Sequence, residues 1–266
     1  MSKPGSRGRE SIVSGDAIRS VELFGAATRE LIQAMPDIEA ILGRSITLVG
    51  GLAVLSRLGS AAHRVTTDVD TVNRRASNEP GQIEVLLASG ATAIDGAGVI
   101  ISTKAGNIRV DTLEISADQL NDLPSDPTDR LYLLAHDWAL RTATKLRIHA
   151  VDDTEHISEA TVLVAEPGPL IATKLQALPN RASQKEATDV VDIVRLTLDH
   201  HTGPVVREQL SLADGQIRAD AAMHVERWFG ERAERTERLV SSVPSGRDIT
   251  ADTVALVGEL LLGVMR

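Results

Sequence analysis

The apolar run Ile46–Val49 stops at Gly50-Gly51, and an apolar helical pattern, Leu52–Leu58, starts at once behind it. The order is a buried strand, a glycine turn and a helix, which commits this part of the chain to a sheet with helices packed beside it. Backbone amides at such a turn, together with the start of the following helix, can hold a phosphate. Taken alone, two adjacent glycines mark only a tight turn.

The next segment, Asp68–Asn73, alternates acidic and apolar residues and reads as a strand. Residues i and i+2 of a strand share a face, so Asp68 and Asp70 project together. Two neighbouring carboxylates repel and raise each other's pKa, a conflict that a divalent cation between them relieves. An all-oxygen ligand set suits Mg²⁺ (or Mn²⁺), which keeps waters and takes substrate phosphates as further ligands. Ile83–Ser89 reads as a helix, and Val99–Thr103 and Ile108–Ile115 read as strands joined by a turn at Gly106-Asn107. Asp111 lies on the last of these. If that strand neighbours the first acidic one, three carboxylates meet opposite the Gly-Gly turn, a layout suited to two-metal phosphoryl transfer. Asp111 could also take the proton of an attacking hydroxyl.

Upstream, Asp16 reads as the cap of a helix to Met35, with Ile18, Val21, Leu23, Phe24, Ala27, Leu31 and Ile32 on its apolar face and Pro36 as its end. Residues 1–15 read as a flexible tail, because Met1–Arg9 is basic and Gly/Ser-rich with no apolar stretch behind it. Downstream, Leu120–Asp129 is a linker rich in Pro, Asp and Ser. Helical patterns follow at Leu131–Leu146, Leu170–Leu178, Gln184–Leu198, Val205–Leu212, Asp214–Ser241 and Ala251–Met265, with one short strand at Thr161–Ala165. The expected class is α+β, with a sheet-bearing domain over 16–125 and a mainly helical domain over 126–266 that completes a cleft.

Composition narrows the chemistry. The 266 residues contain no cysteine, which excludes disulfides, thiolate metal sites and cysteine nucleophiles. The aromatics are Phe24, Tyr132, Trp138, Trp228 and Phe229, too few for a base-stacking platform of several rings. Trp138 reads as core. The net charge of -9 disfavours non-specific coating of nucleic acid, so any such contact needs a local basic patch. Arg57, Arg64, Arg74 and Arg75 against Asp68 and Asp70 supply one, and Arg141, Lys145 and Arg147 extend it. No apolar run reaches the ~18 residues of a membrane span. The expected location is cytoplasmic.

Lysine is scarce, five residues against 23 arginines, so each is informative. Lys174 and Arg181, seven apart, read as one face of a helix suited to phosphate oxygens. Asp189 and Asp192, at i and i+3, could orient Lys174 or meet a ribose hydroxyl. His200-His201 reads as a helix C-terminus near Gly203.

Gly50-Gly51, Asp68-x-Asp70 and Asp111 in this order resemble the nucleotidyltransferase superfamily of the DNA polymerase beta type, with its hG[GS], DxD and later-strand Asp. Further blocks narrow the resemblance. Lys174–Arg181 matches KxxAxxxR. Asp189–Ile193 matches DxxDL with Ile for Leu. His63–Asp70 resembles KRxSxDxD, with His for Lys and Thr66 for Ser. Together they are similar to the AbiEii family, the toxin half of AbiE-type toxin–antitoxin systems, which includes the MenT-like mycobacterial toxins. The resemblance spans about Leu48 to Leu196.

It implies a nucleotidyltransferase-fold mixed sheet and a transferase that moves NMP from an NTP to RNA, with tRNA 3′ ends as target and a cognate antitoxin as partner. Asp68, Asp70 and Asp111 would be metal ligands and, with Lys174, catalytic. Gly50, Gly51, Arg64, Thr66, Lys174, Arg181, Asp189 and Asp192 would bind nucleotide. Two other functions compete: transfer to a small hydroxylated compound such as an antibiotic, and a non-catalytic nucleotide-binding module.

Overall fold

The computed structural model describes residues 18–59, 64–76, 78–94 and 98–266. The expected tail over 1–15, the cap at Asp16 and His63 lie outside them. Among the described residues the chain is α+β, with one eight-stranded mixed sheet and eleven α-helices. The first half runs β1 (Arg19–Phe24), α1 (Ala26–Leu42), β2 (Thr47–Val49), α2 (Gly50–Leu58), β3 (Asp68–Arg75), α3 (Gln82–Ala88), β4 (Thr92–Ala93), β5 (Gly98–Thr103) and β6 (Gly106–Ser116). After α4 (Ala117–Asn121) and α5 (Pro127–Thr142) come β7 (Thr144–Val151) and β8 (Ile157–Val164). The rest is helical: α6 (Pro167–Ala177), α7 (Ser183–Leu198), α8 (Thr202–Leu212), α9 (Gly215–Val225), α10 (Ala233–Ser241) and α11 (Ala251–Met265). None of these helices is long and apolar enough to cross a membrane.

The sheet order is β1-β7-β8-β2-β3-β6-β5-β4. Strands β3 and β6 run parallel, as do β2 with β8 and β1 with β7, and the other neighbours are antiparallel. The order places β2, with its glycine turn, beside β3 and the acidic pair, and β6 on the other side of β3. Val69, Val72, Val110, Leu48 and Val49 are buried and anchor this centre.

Several sequence expectations change. The segment Arg19–Phe24 is a strand, not the first turns of a helix. Val21 and Leu23 are buried and their neighbours exposed, which is a period of two. Helix α1 starts after Gly25, whose φ of 107° breaks the backbone direction, and it runs through Pro36 to Leu42. A proline inside a helix costs about 3 kcal/mol. Burial of Leu31, Ile32, Met35, Ile38 and Leu42 along one face offsets it.

The helix expected to reach Leu146 ends at Thr142, and Thr144–Val151 forms β7 with Leu146, Ile148 and Ala150 turned inward. The second half thus supplies two strands to the sheet rather than one short one. The long helix expected over Asp214–Ser241 is broken by a π-turn at Glu226–Glu231, where Arg227, Arg232 and Arg235 surround the buried Trp228 ring. Trp138 is core, as expected.

Arg57 joins the halves. It projects from α2, is 4% exposed, and donates to the carbonyls of Ala165 (2.9 Å) and Val164 (2.5 Å). Its guanidinium also meets Glu166 at 3.0 Å. Burial lowers its pKa, and Glu166 works against that shift. The arginine expected in a basic patch is a structural strut between β8 and α6.

Candidate active site

The site is built where β2, β3 and β6 meet the N-terminus of α2. Gly50 opens α2 with φ 63°, a conformation side chains rarely adopt, and a Cβ there would collide with the Asp70 carboxylate. At Gly51 a Cβ would sit 2.6 Å from the Arg64 guanidinium and 3.0 Å from the Thr66 hydroxyl. The two glycines are therefore required by close approach of the acidic strand, beyond any need for a tight turn. The Gly51 N–H donates to Asp70.

Parallel register pairs Asp70 with Asp111 and Asp68 with Arg109. The carboxylates of Asp68, Asp70 and Asp111 come within 4.8 Å of one another. Each has a distinct protein partner. The Thr66 hydroxyl donates to Asp68 at 2.9 Å, and Thr66 is itself buried. Arg109 forks onto both oxygens of Asp111, at 2.9 and 3.0 Å. Asp70 has the Gly51 amide and, among the described residues, no cation in contact. Burial and the charges of Asp68 and Asp111 push its carboxyl up to about 7, opposed by Lys174 and the Gly51 N–H.

This is a cluster short of positive charge. Its donors are all oxygens, and glycines clear space around them, so it fits a hard divalent cation such as Mg²⁺ or Mn²⁺. Gly98, across from Asp111 on β5, makes room in the same way, since a Cβ there would strike the Asp111 carboxylate.

Across the cleft, the helical half presents a second cluster. Lys174 on α6 is 5% exposed, and its Nζ lies 2.5 Å from Asp189 and 2.7 Å from Asp192, both on α7. Arg64 forks onto Asp192 through Nε (2.9 Å) and Nη2 (2.8 Å), and Arg181 donates to Asp189 at 3.1 Å. Burial opposes the charges of Lys174 and Arg64, but the aspartates outweigh it and both pKa values rise. Of the two roles open to Asp189 and Asp192, ion pairing with Lys174 is the one present here. Arg181 does not share a helix with Lys174. Helix α6 ends at Ala177, a 3-10 turn containing Pro179 follows, and Arg181 lies in extended backbone beyond it. It reaches Asp189 by the turn, not by helical periodicity.

Two connected cavities open from this cleft and share Gly50, Asp70, Lys174, Arg181 and Asp189 as a common wall. One is bordered by Arg64, Thr66, Thr67, Asp68 and Lys185. The other is bordered by Tyr132 and His136 of α5, Leu113 of β6, and Gln176 and Asn180. Arg109, Gly98 and the second cavity's polar residues escaped the sequence reading. Arg109 carries a local signal, an arginine at i-2 from Asp111 on a strand, whereas the others meet only through packing.

Most cations of the expected basic patch have partners within the protein, while Lys145 and Arg75 stay exposed. Arg57 is buried, Arg74 pairs with Asp137, Arg75 donates to the Glu79 carbonyl at 3.2 Å, and Arg141 meets Asp137 at 2.7 Å. Arg147 sits 3.5 Å from Glu159 on the sheet. Of the cations counted over 57–75, Arg64 alone borders the cleft. His200 and His201 sit between α7 and α8, with His200 3.5 Å from Asp199. No protein-family model matches this chain, and neither a curated protein nor a solved structure matches it.

Proposed function

We propose that the chain is a metal-dependent nucleotidyltransferase of nucleotidyltransferase fold, resembling the AbiEii toxins, that transfers NMP from an NTP to an RNA acceptor and releases pyrophosphate. The observation that carries this reading is the meeting of Asp68, Asp70 and Asp111 on paired strands opposite the Gly50-Gly51 turn. By the same resemblance the acceptor is a tRNA 3′ end, the partner a cognate antitoxin and the location cytoplasmic.

Asp68, Asp70 and Asp111 would hold Mg²⁺ or Mn²⁺, which supplies positive charge to the triphosphate and to the transferring phosphoryl group. The chain's own groups divide the remaining work. The start of α2 and Arg64, beside Thr66 and Lys185, receive the phosphate tail. Lys174 adds a point charge held in place by Asp189 and Asp192. An acceptor hydroxyl attacks the α-phosphorus, its proton passes to an Asp111 carboxylate oxygen, and the bond from the α-phosphorus to the bridging oxygen breaks as pyrophosphate leaves. The Arg109 fork places one hydrogen bond on each Asp111 oxygen and leaves a lone pair on each for that proton.

One observation favours a second reading, transfer to a small hydroxylated compound. The arginines that would line a track for RNA are held in internal pairs, in a protein of charge -9. Incubation with each of four α-labelled NTPs, Mg²⁺ and total RNA separates the readings. A labelled tRNA-sized band supports the RNA acceptor. Label transferred only to a small hydroxylated compound supports the second reading. Absence of transfer to either class with any NTP overturns both.

A further inference from the structure

The two cavities that meet at Asp70 differ in chemistry. The one holding Arg64, Lys185, Thr66 and Thr67 is lined by cations and hydroxyls together with the carboxylates of Asp68, Asp70 and Asp189. The other joins the aliphatic Leu113 and the Tyr132 ring to a few polar atoms. His136 is 3% exposed, and its Nδ1 lies 2.6 Å from the carbonyl oxygen of Tyr132. A carbonyl oxygen only accepts, so Nδ1 carries the proton and Nε2 is left as an acceptor. Burial holds the imidazole pKa down at about 4, although the bond to Tyr132 raises it, so the ring stays neutral near pH 7.

The Gln176 and Asn180 side-chain amides border the same cavity and find no hydrogen-bond partner among the described residues. Gln176 is 8% exposed. Asn180 is exposed, and both amides are open to water or to a ligand. Apolar surface at Val49, Leu113 and Tyr132 beside these polar groups, with the charged residues confined to the wall shared with the other cavity, suits recognition of a flat polar ring.

An NTP has this same division. Its polyanionic tail and its base lie on opposite sides of the α-phosphate. Asp70, in the wall between the cavities, marks where that phosphate belongs. Asp111 borders neither cavity, which leaves the acceptor its own approach.

We propose that the α5-side cavity is the nucleobase subsite and that His136 Nε2 selects the base by accepting from an N–H on its edge, with Gln176 and Asn180 completing the contact. The inference rests on the nucleotidyltransferase reading and adds the residue that sets nucleotide preference.

The test is equilibrium binding of the four NTPs and of ribose 5-triphosphate, which lacks a base, with Ca²⁺ replacing Mg²⁺ to prevent turnover. His136→Phe should weaken the preferred NTP about tenfold, the loss of one hydrogen bond with a buried partner left unpaired. It should narrow the spread among the four and leave ribose triphosphate within about twofold. His136→Asn, which restores an acceptor, should recover part of the preference. Lys185→Ala should weaken all five ligands by a similar factor. If His136→Phe does not fold, Gln176→Leu and His136→Asn decide by the same pattern.

An unchanged order and spread in folded variants overturns the subsite, as does an equal loss for the base-free ligand. A change confined to the KM of the acceptor overturns it too, by placing the acceptor in this cavity. If the wild-type protein binds ribose triphosphate and all four NTPs equally, the inference fails while the nucleotidyltransferase reading stands. If it binds none of them, both fail.

Discussion

The cleft has two charged walls built on opposite principles. On the sheet side, three carboxylates are pressed together by strand pairing, and among the described residues Asp70 has no cation in contact. On the helical side, Lys174, Arg64 and Arg181 already have Asp189 and Asp192 as partners. The first wall is held in an unfavourable arrangement by backbone geometry, and a cation would relieve it. The second is satisfied without any ligand. On the proposed reading the metal would enter where charge is unbalanced, and the balanced wall keeps Lys174 at a fixed place and in its charged state.

The sharpest break of this comparison comes from substitution on the two walls. Asp68→Ala or Asp70→Asn should lower nucleotidyl transfer about a thousandfold, roughly 4 kcal/mol of transition-state stabilisation. Without added metal, melting temperature should hold or rise, because a repulsive charge has gone. Thermal melts beside rate assays check both halves, and a large loss of stability in Asp70→Asn would contradict the unbalanced wall. Asp192→Asn should do the opposite to stability. Asp192 is fully buried between Lys174 and the Arg64 fork, so its loss should cost about 3 kcal/mol in denaturant unfolding. A near-neutral result would mean that Lys174 and Arg64 have other partners ready.

The cavity on the α5 side gives a pH test in which burial dominates and Arg181 of the helical wall adds to the shift. His136 has a folded pKa of about 4, below its ordinary value of 6.5. The unfolded chain therefore binds the proton first, and the stability from the neutral ring is complete above pH 6.5 and lost as pH falls towards 4. Compared with His136→Phe at each pH, the wild type should lose about 3 kcal/mol across that window. Groups shared by the two proteins cancel in the difference. A flat difference from pH 7 to 4 would show that the ring is not held neutral. The smallest effect belongs to Arg109. Removing its fork from Asp111 by Arg109→Gln should tighten Mn²⁺ severalfold, about 1 kcal/mol, as measured by electron paramagnetic resonance of the free ion. The gain should vanish in an Asp111→Asn background. A gain that persists there would place the arginine's effect elsewhere.

The acidic pair was legible because its rules are local. Alternation along Asp68–Asn73 sets Asp68 and Asp70 on one face, whereas Asp111 joins them only through the pairing of β6 with β3. The helical register was only half legible. The seven-residue spacing of Lys174 and Arg181 fits one helix face, yet Pro179 ends that helix first. Ile18, Val21 and Phe24 satisfy a helical spacing as well as a strand, and the apolar pattern of β7 continues that of the helix before it.

Chain order and short-range periodicity settled the strand, glycine turn and acidic pair, since the backbone conformations and side-chain faces involved span only a few residues. Pairing of charges was decided by packing. Arg64 and Asp192 are 128 residues apart, and Arg57 and Ala165 are 108 apart. Nothing near Arg57 in the chain distinguishes a buried strut from a cleft-facing cation. Its role follows from α2 lying against the β8–α6 junction, where unpaired carbonyls need a donor. The same holds for His136, Gln176 and Asn180, whose polar atoms acquire meaning only when α5 and the end of α6 close around one cavity. Short-range geometry is written into neighbouring residues, whereas burial and electrostatic partnership depend on distant segments that tertiary folding brings within a few ångströms.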